Sequence, residues 1–203
     1  MRPILILFLV TVFRVTEAAQ IEINVIDQFS RSVPDAVVQF ANKSIPSDKM
    51  YDQVFSVSQK SEWFNPILKV IPRGAKLKFK NLDPIGHIVR TPEFGRYGLQ
   101  GDRTQFFKHL SINSETDEIQ FNRPGFVEYF CEIHSFMRGV IYVAESTVYA
   151  KTDKRGLAKF DVEPGEHLIK VWSAEILAQK EQEFLINVNE AKEIYELKII
   201  VGF

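Results

Sequence analysis

The chain has 203 residues, 45% of them hydrophobic and 25% charged, with a formal net charge of −1. That balance gives no support to nucleic-acid binding, and the length gives room for one large or two small domains, each with a core. Seventeen Phe suit a β-rich interior, and the single Cys excludes an internal disulfide.

Taken in chain order, the first element is a targeting segment. Arg2 precedes an apolar run ending at Phe13, and Thr16 and Ala18 stand at small-residue cleavage spacing. This reads as a secretory signal peptide, residues 1–18, cut near Ala18 or Ala19. The run is about 11 residues, short of the roughly 20 that a membrane span needs. Removing Arg2, Arg14 and Glu17 takes away a net +1 and leaves about −2. Nothing else in the chain is apolar enough to span a bilayer, so no stable membrane insertion of the mature chain is expected.

The remaining segments read as strands. "IEINVID" (Ile21–Asp27) alternates apolar and polar residues, and a turn at Pro34 leads to a short apolar strand. Residues 65–83 give two strands broken at Pro72–Gly74, and residues 117–131 give two more broken at Pro124–Gly125. "MRGVIYVAE" continues as a strand, residues 156–173 read as a hairpin around Pro164–Gly165, and "QEFLINV" and "IYELKIIVGF" finish the chain. The Gly-interrupted stretch Phe94–Ser111 reads as a long loop. No segment shows helical periodicity, so the expected class is all-β, a sandwich or barrel.

One short turn carries the chemistry. Cys131, His134 and Met137 lie within seven residues, between the strand-like runs "VEYF" and "GVIYV". A thiolate, an imidazole and a thioether together favour copper, and two His, one Cys and a distant Met form the blue-copper arrangement. The second imidazole must come from elsewhere, and His87 in "NLDPIGHIV" is the best candidate. Such a site performs one-electron transfer, tuned by its axial ligand and by hydrogen bonds around the sulfur. Tyr129, Phe130 and Phe136 read equally as an apolar shell for the metal or as ordinary core aromatics.

The motif C-x2-H-x2-M, with N-x-D-x-x-x-H upstream, resembles the cupredoxin family, and its loop length is most similar to amicyanin. The resemblance covers about Tyr51–Glu145 and implies one type 1 copper held by His87, Cys131, His134 and Met137. Two positions depart from the family pattern: Ile133 stands where many members have Pro, and Ile88 where plastocyanin-like sites often have Asn. The flanks resemble a different family. Residues 21–40 and 148–173, the latter with T-D-x-x-G and P-G-x5-V-W, are similar to a carboxypeptidase regulatory-like (transthyretin-like) β-sandwich. The implied organisation is a discontinuous sandwich, 20–45 and 146–203, with a cupredoxin Greek-key domain, 46–145, inserted at a loop. It resembles bacterial exported proteins named methylamine utilisation proteins.

Other residues carry weaker signals. Asn81 and Asp83 read as builders of the turn before His87. His109 reads as a surface residue of the long loop, and His167 as structural. Glu132 and Arg138 read as solvated charges flanking the ligand loop, with steering of a redox partner as the rival role. Trp63 and Trp172 read as core anchors, Trp172 far from the metal.

The resulting expectation is an exported, periplasmic, non-enzymatic carrier of single electrons that meets redox partner proteins. Two rivals are a periplasmic copper chaperone or store and a non-metal carbohydrate- or protein-binding module. Four His are too few for a multi-copper oxidase or a nitrite reductase.

Overall fold

The computed structural model describes residues 18–41, 53–92, 105–176, 180–189 and 193–202. The expected signal peptide lies outside these residues up to position 17, as do residues 94–104 of the expected loop. The chain opens with β1 (Ala19–Asp27) and β2 (Val37–Phe40). Nine strands follow: β3 (Val54–Lys60), β4 (Trp63–Asn65), β5 (Leu68–Pro72), β6 (Lys76–Asn81), β7 (His87–Arg90), β8 (Phe107–Leu110), β9 (Ile119–Gln120), β10 (Gly125–Cys131) and β11 (Arg138–Ala144). The last five are β12 (Tyr149–Lys151), β13 (Leu157–Val162), β14 (Gly165–Trp172), β15 (Gln182–Val188) and β16 (Glu193–Ile199). The fold is all-β, and among the described residues no helix is long and apolar enough to cross a membrane.

The outer strands build one sandwich. Its sheets have the orders β13-β1-β16 and β12-β2-β14-β15. Alternation in β1 turns Ile21, Ile23 and Val25 inward, where they meet Phe40, Phe160, Ile169 and Val171. The stretch 156–173 is not a hairpin. Its first strand, β13, pairs with β1, whereas β14 pairs with β2 and β15. The turn at Pro164 therefore carries the chain across the core from one sheet to the other. His167 stands beside that crossing, buried, with its Nε2 2.7 Å from the Glu163 carbonyl oxygen.

The T-D-x-x-G segment closes this sandwich. Thr152 Oγ1 accepts from the Ala36 amide (2.9 Å) and donates to the Val33 carbonyl (2.7 Å). The Asp153 carboxylate accepts from the amides of Arg155 (2.8 Å) and Leu157 (3.0 Å). Gly156 has φ +78°, and a Cβ there would stand 2.5 Å from the Val25 carbonyl oxygen.

Strands β3 to β11 form a second pair of sheets, β5-β11-β10-β7-β8 and β4-β3-β6-β9. Their shared core includes Val57, Phe64, Leu77, Phe79, Tyr129 and Ile141. Phe64 and Phe79 meet Tyr129 edge-on, at centroid distances of 4.7 and 5.0 Å. Residues 54–65 form an unforeseen hairpin, whose signal is the alternation V-F-S-V-S-Q followed by Ser-Glu. Phe107–Leu110 is an edge strand on β7 and not a loop, with Leu110 turned inward.

The two sandwiches meet through a third apolar cluster. Trp172 of β14 packs on Tyr142 of β11 (5.0 Å) and stacks on Phe126 of β10 (5.7 Å), with Val37 and Ala144 alongside. Trp172 is thus a core anchor, and its core is the junction. The buried Gln39 side chain accepts from the amides of Glu145 (2.9 Å) and Ser146 (3.3 Å) and donates to the Tyr142 hydroxyl (2.9 Å). Tyr142 in turn donates to the Glu181 carboxylate.

Replacing Gly156 by Ala forces a left-handed φ on an L-residue and drives its Cβ into Val25. Urea unfolding should show a loss of about 2 kcal/mol or more. A pH dependence centres on Asp27. Burial raises its pKa, but hydrogen bonds from the Arg31 amide and guanidinium and from the Phe29 amide outweigh burial and hold it below the usual carboxylate range. Its contribution to stability is therefore full above the unfolded value of about 3.9 and disappears as pH falls through the lower folded value. Unfolding of wild type and Asp27→Asn, compared across pH, should differ at neutrality and converge in acid.

Candidate metal centre

Three strand ends and loops converge at one edge of the second sandwich. His87 opens β7, and Cys131 ends β10 opposite Val89 of β7. The chain then turns on itself. The Met137 amide donates to the His134 carbonyl (3.0 Å), and the Cys131 amide donates to the Met137 carbonyl (3.0 Å). A third bond, from the Glu132 amide to the Ile88 carbonyl (2.9 Å), ties this loop to the strand carrying His87. Met137 is fully buried in the sandwich core.

This backbone brings one sulfur and two nitrogens together. Cys131 Sγ lies 3.7 Å from His87 Nδ1 and 3.5 Å from His134 Nδ1. The possible ligand atoms of the three residues all lie within 4.8 Å of one another. Cys131 and His87 are buried, and His134 is half-buried, so one imidazole edge faces solvent. The remaining ring nitrogens face carboxylates. His87 Nε2 is 3.0 Å from Asp83 Oδ2, and His134 Nε2 is 3.9 Å from Glu62 Oε2. A thiol and two imidazoles whose Nδ1 atoms face a common point, with both Nε2 atoms turned away, suit a soft metal ion of small radius.

The turn before His87 is a network of side-chain caps. Asn81 Nδ2 donates to the carbonyls of Ile85 (2.7 Å) and Ser111 (3.0 Å), and its Oδ1 accepts from the Asp83 amide (2.9 Å). Asp83 accepts from the amides of Ser61 and Glu62 and from His87. Burial raises the pKa of this carboxyl, but the two amides and His87 outweigh it and hold Asp83 below the usual carboxylate range. Both residues build the turn, as the sequence suggests. The contact of Asp83 with His87 escapes sequence reading, although its i, i+4 spacing was the available signal.

Other expectations change. Trp63 is not a core anchor: it sits on the outer face of β4, 52% exposed, with its ring 5.8 Å from Phe136. A three-residue edge strand leaves that face without a covering layer. Phe136 is exposed and lies 6.1 Å from His134, whereas Tyr129 is buried in the core and Phe130 packs under Arg90 (5.4 Å). Glu132 pairs with Arg90 (3.4 Å), and Arg138 is exposed. His109 lies on the exposed face of β8 beside Phe107 and outside the His–Cys–His cluster.

Residues 52–144 match the family of copper-binding proteins of the plastocyanin/azurin type. The matched segment contains β3 to β11, the strands of the second pair of sheets. No curated protein matches the chain. Among solved structures, the chain is similar to a copper-containing nitrite reductase from Thermus scotoductus SA-01, at 27% identity over 45% of this chain and a TM-score of 0.39. It spans 22% of that reductase. It is also similar to a reduced Cu(I) form of an amicyanin variant, at 18% identity over 53% of this chain and 98% of that one, with a TM-score of 0.39. A purple cupredoxin from Nitrosopumilus maritimus matches at 17% identity over 44% of this chain and 99% of that one, with a TM-score of 0.37. The family match and the His–Cys–His group together support a single copper ion as the cofactor.

Asn81→Ala removes three side-chain bonds from the turn that carries His87. Urea unfolding of the metal-free protein should show a loss of about 2 kcal/mol, and amide exchange at residues 83–88 should accelerate.

Proposed function

We propose that this chain is an exported type 1 copper protein that carries single electrons and catalyses no reaction of its own. His87 and His134 would hold the metal through Nδ1, Cys131 through its thiolate and Met137 through its thioether, donors that suit copper. One observation carries this reading: a lone thiol faces the Nδ1 atoms of two imidazoles, one from the start of β7 and one from the loop after β10. Copper bound there supplies a one-electron couple.

The protein residues have distinct tasks in this reading. The amide bonds among Cys131, His134, Met137 and Ile88 hold the donors in place before metal arrives. The aromatic core under Cys131 keeps water from the sulfur. His134 is the donor nearest solvent, and apart from Glu62 and Glu132 the exposed side chains of this edge are largely apolar. Ile133 and Phe136 flank it in its own loop, Leu82 and Ile85 precede His87, and Trp63 stands beside Phe136, all exposed. An apolar rim of this kind suits transient docking of a redox protein, since few charges need desolvation. The flanking sandwich, residues 20–45 and 146–203, holds the inserted copper domain, 46–145, through the Trp172–Tyr142 junction. Export rests on the N-terminal segment 1–18 and places the mature protein in the periplasm.

Cu(II) added to purified protein should produce an intense visible thiolate charge-transfer band that is absent in Cys131→Ser. Voltammetry should give a reversible one-electron couple. A colourless copper complex would reject the proposal. So would tight Cu(I) binding with rapid exchange and no couple, which is the behaviour of a copper chaperone.

A further inference from the structure

The β3–β4 hairpin reaches His134 directly and His87 through Asp83. Its strands pair Lys60 with Trp63, so Ser61 and Glu62 are its two turn residues. Both have left-handed backbone, φ +56° and +59°, although neither is glycine. Such a turn costs of order 1 kcal/mol or more per residue unless its surroundings hold it. Here the hold is visible. The Ser61 and Glu62 amides both point at the buried carboxylate of Asp83, with Glu62 N at 3.0 Å from Oδ2. The same Oδ2 faces His87 Nε2 at 3.0 Å, and the Glu62 side chain extends to within 3.9 Å of His134 Nε2. One turn and one buried aspartate thus place a carboxylate behind each imidazole.

The chemistry follows from the geometry. A carboxylate oxygen only accepts, so His87 Nε2 must carry the proton and Nδ1 keeps its lone pair toward Cys131. A negative oxygen behind an imidazole also raises its basicity as a metal ligand. Added negative charge near a metal favours its more highly charged state. Asp83 is buried and exerts this effect strongly, whereas exposed Glu62 is screened.

Resting on the reading that His87 and His134 are copper ligands, we propose that Asp83 is a positioning residue that locks His87 in its Nε2–H tautomer and, with a smaller contribution from Glu62, biases the site toward Cu(II) over Cu(I). The expected consequence is a reduction potential lower than the same four donors would give without the carboxylates.

The test compares wild type, Asp83→Asn and Glu62→Gln. Long-range 1H–15N NMR of the metal-free proteins reads the His87 tautomer. It should be a single Nε2–H form in wild type and a mixture or the Nδ1–H form in Asp83→Asn. Competition experiments with Cu(II) and Cu(I) chelators give the affinity ratio of the two ions. That ratio should fall about tenfold in Asp83→Asn, equivalent to a rise of about 59 mV for a one-electron couple, and less than threefold in Glu62→Gln. Asp83→Asn also loosens the turn, so the same substitution is made in a Ser61→Gly background, where glycine tolerates the left-handed φ. An unchanged tautomer, or a ratio within twofold of wild type in both backgrounds, overturns the proposal. Absence of a reversible couple in wild type would instead reject the electron-carrier role, and the tautomer and affinity ratio would still judge Asp83.

Discussion

Cys131 reaches its position because its strand ends there and its amide immediately bonds to the carbonyl of Met137. That bond, with the turn from His134 to Met137, forces the loop to close over its own first residue. Register pairing of Cys131 with Val89 then fixes how far His87 lies from the sulfur. A one-residue slip along β7 would turn His87 to the opposite face of the sheet. The site is therefore a property of two strand ends and one turn, and the aromatic packing of Phe64, Phe79 and Tyr129 beneath them makes those ends rigid.

The surroundings of the cluster are uneven. On the inner side lie buried carboxylate, amides and aromatic rings. On the outer side lie Ile133, Phe136 and Trp63, with ion pairs such as Arg90–Glu132 set to the flank. Ile133 belongs to the outer side. Ile88 contributes a backbone carbonyl to the loop, while the polar tie between neighbouring loops comes from Asn81.

Much of this was legible in the sequence, for reasons that differ by residue. The spacing Cys131, His134, Met137 is local, and a seven-residue turn has few ways to arrange itself. Strand alternation identified β1 because one of its faces is apolar, and the Pro–Gly breaks marked off the strands around residues 72–74 and 124–125. Alternation does not say which sheet a strand joins, and so β13 and β14 read as partners although they face each other across a core. Trp63 read as buried because a large aromatic ring prefers burial, and nothing in the sequence shows that β4 is a short outer strand. Asp83 read only as a turn former. Its i, i+4 spacing to His87 hints at their contact, but the amides of Ser61 and Glu62 that hold its carboxylate come from more than twenty residues upstream, which no local pattern reports.

The Gln39 side chain bonds the amides of Glu145 and Ser146, so the points where the chain leaves and re-enters the first sandwich are neighbours. Once β3 to β11 are folded, this long excursion behaves as a short bridge between β2 and β12. The entropy of closing a hundred-residue loop is then carried by the inserted strands' own folding, and the outer sandwich can join its first strand to its last at little additional cost. Such an arrangement lets a second sandwich be added without lengthening either core.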